Sequence, residues 1–173
     1  MSFEEIDRLA GIFIDLGVEK IRLTGGEPLL RKNLADLVSM LSMRDVEIAM
    51  TTNGVLLPRH APALSAAGLD RVTVSLDAID ESTFASITDS GHTVASVIAG
   101  IEAAESVGLG PIKINTVVKK NLNEDEILDL VERFSNRNIA IRFIEYMDVG
   151  TTNGWSMEEV VTAEEIRAII GID

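Results

Sequence analysis

The chain has 173 residues, and 46% of them are hydrophobic, which is sufficient for one well-packed domain. Its 28 acidic and 15 basic residues give a formal net charge of −13, which argues against a nucleic-acid or membrane-surface binder. It has no cysteine, which excludes disulfides, cysteine nucleophiles and thiolate ligands for a metal or an iron–sulfur cluster within these residues.

Helix-like and strand-like patterns alternate along the chain. A capping box at residues 2–5 begins the first helix. Asp80 is expected to cap a later helix that starts at Glu81, and Asn123 is expected to cap the stretch EDEILDLVERF. The predicted strands are KIRLTGG, VEIAMTTNG, RVTVSLD, IKINTVV and IAIRFIEY, and a last helix covers about residues 163–170. This alternation predicts parallel β/α units, and we expect one domain over residues 1–173 because no linker interrupts them.

One face of every predicted strand is polar, and the intervening positions are apolar. The polar positions are Lys20, Arg22, Thr24, Thr51, Asn53, Thr73, Ser75, Asp77, Lys113, Asn115 and Arg142. Strands of a doubly wound sheet read as continuous apolar runs, and a closed eight-stranded barrel fills its inner face with bulky branched residues. The pattern therefore predicts an α/β fold in which a sheet curves around a bound ligand, as an incomplete barrel.

The first strand runs into a glycine pair and an acid. Gly25 and Gly26 have no side chains, so another molecule can approach their backbone closely. Pro28 restricts Glu27 to extended backbone, which holds its carboxylate where the strand ends. We interpret this stretch as part of a ligand site.

Four cations project toward the polar face, namely Lys20, Arg22, Lys113 and Arg142. Burying such charges is costly unless they are paired, so either internal acids or an anionic ligand must match them. Pairing with Asp77, Glu27 or Glu145 and an anion site are equally compatible with the spacing. Lys113 also allows a third interpretation, an aldolase-like lyase in which a lysine of lowered pKa forms a Schiff base.

Other features receive structural interpretations. The glycines match no P-loop or Rossmann pattern, and His60 and His92 are expected to be solvated surface residues. The acids of residues 124–132 are expected on the first turn and wet face of a helix, and Met40, Met43 and Phe134 in the core. With no secretory pattern and no apolar run long enough for a bilayer, we expect a cytoplasmic protein without membrane or nucleic-acid partners.

The segments RLTGGEPLLR, TTNG, VSLDAID, KINTVV and IRFIEYMDVGTTNGW together resemble the GTP 3′,8-cyclases, the radical S-adenosylmethionine (SAM) enzymes that begin molybdenum cofactor biosynthesis. GGEP alone would indicate only the radical SAM superfamily, and the collinear set is more specific. The resemblance implies an incomplete (β/α)₆ TIM-like barrel. It also implies a lyase that uses SAM and [4Fe–4S] clusters to cyclise GTP into a pterin precursor, by hydrogen abstraction from the ribose.

The same resemblance implies roles for individual residues. Gly25, Gly26 and Glu27 match the stretch that receives the methionine end of SAM, Ser75 a contact to its ribose, and Met147 one near its adenine. On the GTP side the matching positions are Arg22, Thr51, Lys113 and Arg142, and we expect Lys20 to join them. SAM and GTP are thus the implied small-molecule partners.

The family's cysteine loop and C-terminal cysteines have no counterpart here. We therefore expect the chain to be the central part of a larger enzyme, without the first strand and the C-terminal region, unable to hold a cluster and inactive alone. The edge carrying Lys20 would then expose unpaired backbone groups, which predicts self-association. Another radical SAM enzyme that modifies peptides, a non-catalytic nucleotide-binding protein and the Lys113 lyase remain the alternatives.

Overall fold

The computed structural model describes residues 1–88, 91–148 and 155–171. The helices are α1 (Phe3–Asp15), α2 (Leu34–Ser42), α3 (Leu57–Ala66), α4 (Glu81–Ile87), α5 (Val94–Ser106), α6 (Ile127–Phe134) and α7 (Ala163–Ile170). The strands are β1 (Lys20–Leu23), β2 (Glu47–Thr52), β3 (Arg71–Ser75), β4 (Ile112–Val118) and β5 (Ile139–Glu145). Short 3₁₀ helices occupy Pro28–Leu30, Glu124–Glu126 and Met157–Glu159.

The strands form one parallel sheet in the order β1-β2-β3-β4-β5, and each pairs with the next in sequence. Helices lie between consecutive strands, as the alternating patterns predicted. Parallel pairing brings all five carboxyl ends to one edge of the sheet, which is where ligands bind in folds of this class.

The apolar positions of the central strands are buried beneath the helices, as predicted, whereas those of the edge strands β1 and β5 are only partly buried. Ile48, Met50, Val72, Val74 and Ile114 have no exposed surface and belong to one continuous core. Val38, Leu41, Leu57, Leu64 and Ile101 extend this core from the helices. The opposite face of the sheet is therefore left for the polar side chains.

Local capping explains where several helices begin. Ser2 and Glu5 form the expected capping box of α1, and the Asp80 carboxylate accepts the Thr83 N–H at 2.9 Å at the start of α4. The expectation for Asn123 was wrong, because its side chain makes no capping bond. It is buried instead, where it donates to the Asp77 carbonyl after β3 and the Val117 carbonyl in β4 and accepts the Lys119 N–H after β4.

Two further expectations were wrong. Met43 is 87% exposed because it lies at the end of α2, past the last turn that packs on the sheet, whereas Phe134 is buried as expected. Glu126 does not lie on a wet face, since only 7% of it is exposed.

Helix α1 has an unusually apolar outer surface. Leu9, Ile12, Phe13 and Leu16 follow one another at helical spacing, and between 41% and 78% of each residue is exposed. Within the described ranges, no helix combines the length and apolar character needed to cross a membrane.

Candidate functional site

The strand register aligns the polar residues in rows across the sheet. Thr51, Thr73 and Lys113 are direct neighbours on β2, β3 and β4. One step nearer the carboxyl ends, Ser75 pairs with Asn115 and Asn115 with Arg142. Neighbouring strands are about 4.8 Å apart, so these rows bring residues far apart in sequence onto one surface.

Arg22 reaches across two strands on this surface. Its Nη1 donates to the Thr51 hydroxyl at 2.9 Å and to the Thr73 hydroxyl at 3.1 Å. Thr73 is only 2% exposed, so the guanidinium rests on a buried support. Both acceptors are neutral, and they fix the orientation of Arg22 without cancelling its charge.

Arg142 is held in a similar way at the other side of the sheet. Its Nε and Nη2 both donate to the Asn115 Oδ1, at 3.0 and 2.7 Å. Asn115 is also neutral, so the charge of Arg142 is again uncompensated by its anchor.

Lys20 differs from the other predicted cations because it has an acidic partner. Its Nζ lies 2.9 Å from the Glu47 Oε1, and Arg71 Nη2 forms an ion pair with the same oxygen. The Lys20 hydrogen bond, and more weakly Arg71, hold the pKa of Glu47 below its usual range despite partial burial. This three-residue cluster lies at the amino ends of the strands.

The pKa of Lys113 is affected by the positive charges of the whole polar face. Its pKa is lowered chiefly by the neighbouring Arg142, then by burial and by Arg71, Lys20 and Arg22. Four positive side chains therefore act on it together. An ammonium in such a field gains by contact with an anion, which would relieve the repulsion.

The acids considered as internal partners for these cations have other roles. Asp77 Oδ1 accepts the Val117 N–H at 2.8 Å, and Glu145 Oε1 accepts the Ala163 N–H at 2.6 Å. Glu27 also bonds other groups, described next. Among the described residues, the carboxylate paired with a predicted site cation is that of Glu47.

Glu27 joins the glycine pair to the turn after β2. Its Oε1 accepts the Leu29 N–H at 3.0 Å and the Thr52 hydroxyl at 2.8 Å, and its Oε2 accepts the Asn53 N–H at 2.8 Å. A carboxylate has about four acceptor positions, so one on Oε2 remains for a ligand donor.

The glycine backbone beside it is open. A Cβ atom added at Gly25 or Gly26 would meet nothing within 4 Å. The space over these residues therefore leaves their backbone open to another molecule.

Ser75 and Asp77 line a small cavity at the carboxyl end of β3, together with Asn53, Phe84 and His92. Burial raises the pKa of Asp77, and the Val117 N–H opposes that shift. Met147 follows β5 and is 55% exposed. His92, expected to be a solvated surface residue, is exposed but faces this cavity.

Four residues that sequence reasoning did not single out shape the site. Glu47 and Arg71 follow the same alternation as the polar residues on their strands, which could have identified them. Asn123 donates to the Asp77 and Val117 carbonyls at 2.7 and 2.9 Å, and Glu126 accepts the Ile79 and Asp80 N–H groups at 2.9 and 3.2 Å. No spacing signal predicted the bonds of Asn123 to Asp77 and of Glu126 to Ile79 and Asp80, because these partners are 46 or 47 residues away.

The donor set suits organic ligands better than a metal. Within the part of the chain that the structure describes, no group of three or more histidine, aspartate or glutamate residues could hold a metal ion. Because the chain has no cysteine, its residues do not fit a [4Fe–4S] cluster, whose usual ligands are cysteine thiolates.

Comparison with known proteins agrees with this geometry. The profile of the Radical SAM superfamily matches residues 1–134. A GTP 3′,8-cyclase of Staphylococcus epidermidis is 45% identical over 98% of the chain, and one of Acidothermus cellulolyticus is 50% identical over 98%. The chain spans about half the length of these relatives, 50% and 48% respectively.

Solved structures show the same fold. Streptococcus suis SuiB bound to S-adenosylmethionine superposes with a TM-score of 0.76 at 18% identity, over 99% of this chain and 40% of that one. A radical SAM methyltransferase from Sphaerobacter thermophilus gives 0.72 at 14% identity, over 98% and 52%. The parallel sheet is thus the partial TIM-like barrel predicted from the sequence, and the chain belongs to the radical SAM superfamily.

Proposed function

We propose that the chain is the SAM- and GTP-binding core, one domain over residues 1–173, of a GTP 3′,8-cyclase that acts in molybdenum cofactor biosynthesis. The observation that carries the proposal is the positive surface on the polar face of the sheet, in a chain 45–50% identical to such enzymes. Since the chain spans half of their length, the activity is that of a longer enzyme, and the chain alone is expected to be inactive.

In this proposal the cations bind the triphosphate of GTP. Arg22 and Arg142 supply oriented N–H donors, Thr51 helps to hold Arg22, and Lys113 contributes a mobile ammonium between them. Lys20 is retained as a prediction, although a direct contact would compete with its ion pair to Glu47.

SAM would lie over the glycine pair. The exposed backbone of Gly25 and Gly26 suits its carboxylate, and the free acceptor position of Glu27 suits its ammonium group. Ser75 is assigned to the ribose and Met147 to the adenine. When bound, SAM supplies the chemistry of hydrogen-atom abstraction, and a cluster would need ligands from outside these residues.

The protein's contribution to this reaction is positioning. The strand rows fix the triphosphate of one ligand relative to the amino-acid end of the other, and this orientation favours attack at one atom of the sugar. The cytoplasmic location predicted from the sequence stays a prediction.

The test uses the full-length enzyme with its clusters rebuilt without oxygen. Given SAM, GTP and a reductant, it should form 5′-deoxyadenosine and a cyclised GTP product, both detectable by mass spectrometry. Arg142→Ala should abolish the nucleotide product, whereas Arg59→Ala, an exposed arginine on α3, should not. Formation of 5′-deoxyadenosine without nucleotide product would point to another substrate, such as a peptide.

A second candidate, the Schiff-base lyase, is favoured by the lowered pKa of Lys113. Borohydride trapping with carbonyl substrates would attach the substrate covalently to Lys113 if this function were correct. Labelling that survives in Lys113→Arg would exclude that residue as the nucleophile.

We also propose that the 173-residue chain self-associates, with a second copy covering β1 and the outer surface of α1. Strand β1 is the edge of the described sheet, so one side of its backbone can pair with another strand. The exposed stripe Leu9, Ile12, Phe13 and Leu16 provides apolar area on the helix that precedes this strand.

Sedimentation of the chain at high concentration tests this second proposal. We expect dimers or larger species, which Phe13→Glu should weaken. Leu128→Glu is the matched control, since Leu128 is also about half exposed but lies on α6. A monomer at every concentration would refute the proposal.

A further inference from the structure

Arg22 and Arg142 are oriented by neutral side chains, and Lys20 and Arg71 are not. Arg142 gives both of its recorded hydrogen bonds to one amide oxygen, and Arg22 gives its own to two hydroxyls. Lys20 and Arg71, by contrast, share the Glu47 carboxylate. On this surface, the side chains that orient Arg22 and Arg142 are therefore not the ones that carry negative charge.

We infer that Asn115 and Thr73 are positioning residues that aim Arg142 and Arg22 at a polyphosphate while leaving their charge available. This inference rests on the proposed function, because it takes the triphosphate of GTP as the polyanion. The affinity for the polyphosphate then depends on Asn115 and Thr73 being uncharged, and not only on the hydrogen bonds that they accept.

Asn115 holds Arg142 through a single amide oxygen. It occupies the strand position directly beside Arg142, so its oxygen meets both Nε and Nη2 of the guanidinium. With the oxygen on the arginine, the amide NH₂ group remains a donor, which suits an anion. An aspartate at this position would keep the oxygen acceptor and hold Arg142 more strongly, but would cancel its charge and remove the NH₂ donor.

Thr73 supports Arg22 from a buried position. Its hydroxyl accepts from Arg22 at 3.1 Å, and it is almost completely buried between Thr51 and Lys113 in the strand row. A bound ligand would therefore meet the guanidinium and not Thr73 itself. Its influence on binding is exerted through Arg22.

The inference makes an unusual prediction for three Asn115 variants. Asn115→Ala frees the guanidinium, which should lower affinity several-fold, while Asn115→Asp should lower it further, by about tenfold or more, because opposite charges are paired. The order of melting temperatures should be the reverse of the order of affinities: Asn115→Asp should be at least as stable as Asn115→Ala. Asn115→Gln, a longer neutral amide, should lie nearest to the wild type in affinity.

The experiment is calorimetric titration of the full-length protein with inorganic tripolyphosphate and with GTP, alongside thermal unfolding. Thr73→Val should weaken binding and Thr73→Ser should restore it, since serine keeps the hydroxyl. If Asn115→Asp binds tripolyphosphate as tightly as Asn115→Ala or more so, the inference is overturned.

The outcomes separate this inference from the proposed function. A wild-type protein that binds neither GTP nor tripolyphosphate would refute the proposed function, and with it the inference. A wild type that binds both, with an affinity lost in Arg142→Ala but unchanged in Asn115→Asp, would refute the inference alone.

Discussion

Two groups of cations on the polar sheet face have different partners. Lys20 and Arg71, the first residues of β1 and β3, share the Glu47 carboxylate, which offsets one of their two positive charges. Arg22 and Arg142 instead rest on hydroxyl and amide oxygens, and Lys113, in the register row between theirs, has a lowered pKa. The contrast teaches that the partner, more than the residue type, decides whether a charge stabilises the fold or remains available to a ligand.

The largest effect should come from the helix that supports the carboxyl-end loops. A Cβ at Gly100 in α5 would overlap the Gly54 carbonyl, with its carbon only 2.8 Å away. We expect Gly100→Ala to destabilise the protein by about 3 kcal/mol, because the overlap outweighs the roughly 1 kcal/mol that alanine gains in a helix. Thermal or urea unfolding would measure it.

Gly91→Ala is the control, since an added Cβ there meets nothing within 4 Å and should have little effect. Because Gly54 follows the Asn53 that bonds Glu27, Gly100→Ala should also weaken the binding of SAM that we propose for this site. Unchanged stability would show that the carboxyl-end loops do not depend on this contact.

Removing the shared acid tests the group formed by Lys20, Glu47 and Arg71. Glu47→Gln should cost about 1–2 kcal/mol of stability at neutral pH, between the values typical of exposed and buried pairs, since the group is partly exposed. The pKa of Glu47 is lowered in the folded state, so its contribution is present above its unfolded pKa and is lost as pH falls through the folded one.

The difference between Glu47→Gln and the wild type should therefore shrink in acid, as measured by urea unfolding at several pH values. Leu128→Ala, at an exposed position on α6 whose side chain does not ionise, serves as the control and should show no such dependence. A difference independent of pH would mean that the ion pairs are not its source.

The matching change in the other group of cations should affect stability much less. Arg142→Gln removes a charge that is paired with no acid of the described residues, so we expect a stability change within about 0.5 kcal/mol. The pKa of Lys113 should rise, because Arg142 is the main cause of its depression. NMR titration of the Lys113 side chain would measure this, and a pKa identical to that of the wild type would contradict the cation cluster.

The smallest effect concerns Asp77, whose pKa is raised by burial. A raised folded-state pKa means that its contribution to stability is complete below the unfolded pKa and is lost as pH rises through the folded one. Asp77→Asn can keep the bond from the Val117 N–H, so its stability relative to the wild type should increase with pH. For Glu47→Gln the stability relative to the wild type should instead decrease with pH. Unfolding curves for both variants on one pH series would show whether the two trends have opposite signs.

The sequence by itself determined much of this protein. Strand periodicity separated Ile48 and Met50 from Thr51, and it placed Arg22 and Lys113 on one face, because side chains alternate by geometry alone. Local caps such as Ser2 and Asp80 were also readable, since donor and acceptor are three residues apart.

Only the tertiary structure decided which partner each charge has. Strand register placed Glu47 beside Lys20 and Asn115 beside Arg142, and chain folding brought Glu126 onto the backbone of Ile79 and Asp80. A hydrogen bond or ion pair depends on distances of about 3 Å, and sequence spacing does not define those distances between residues that are tens of positions apart. A polar, cation-bearing sheet face was therefore readable in the sequence, whereas which of its cations share a carboxylate and which rest on neutral side chains was not.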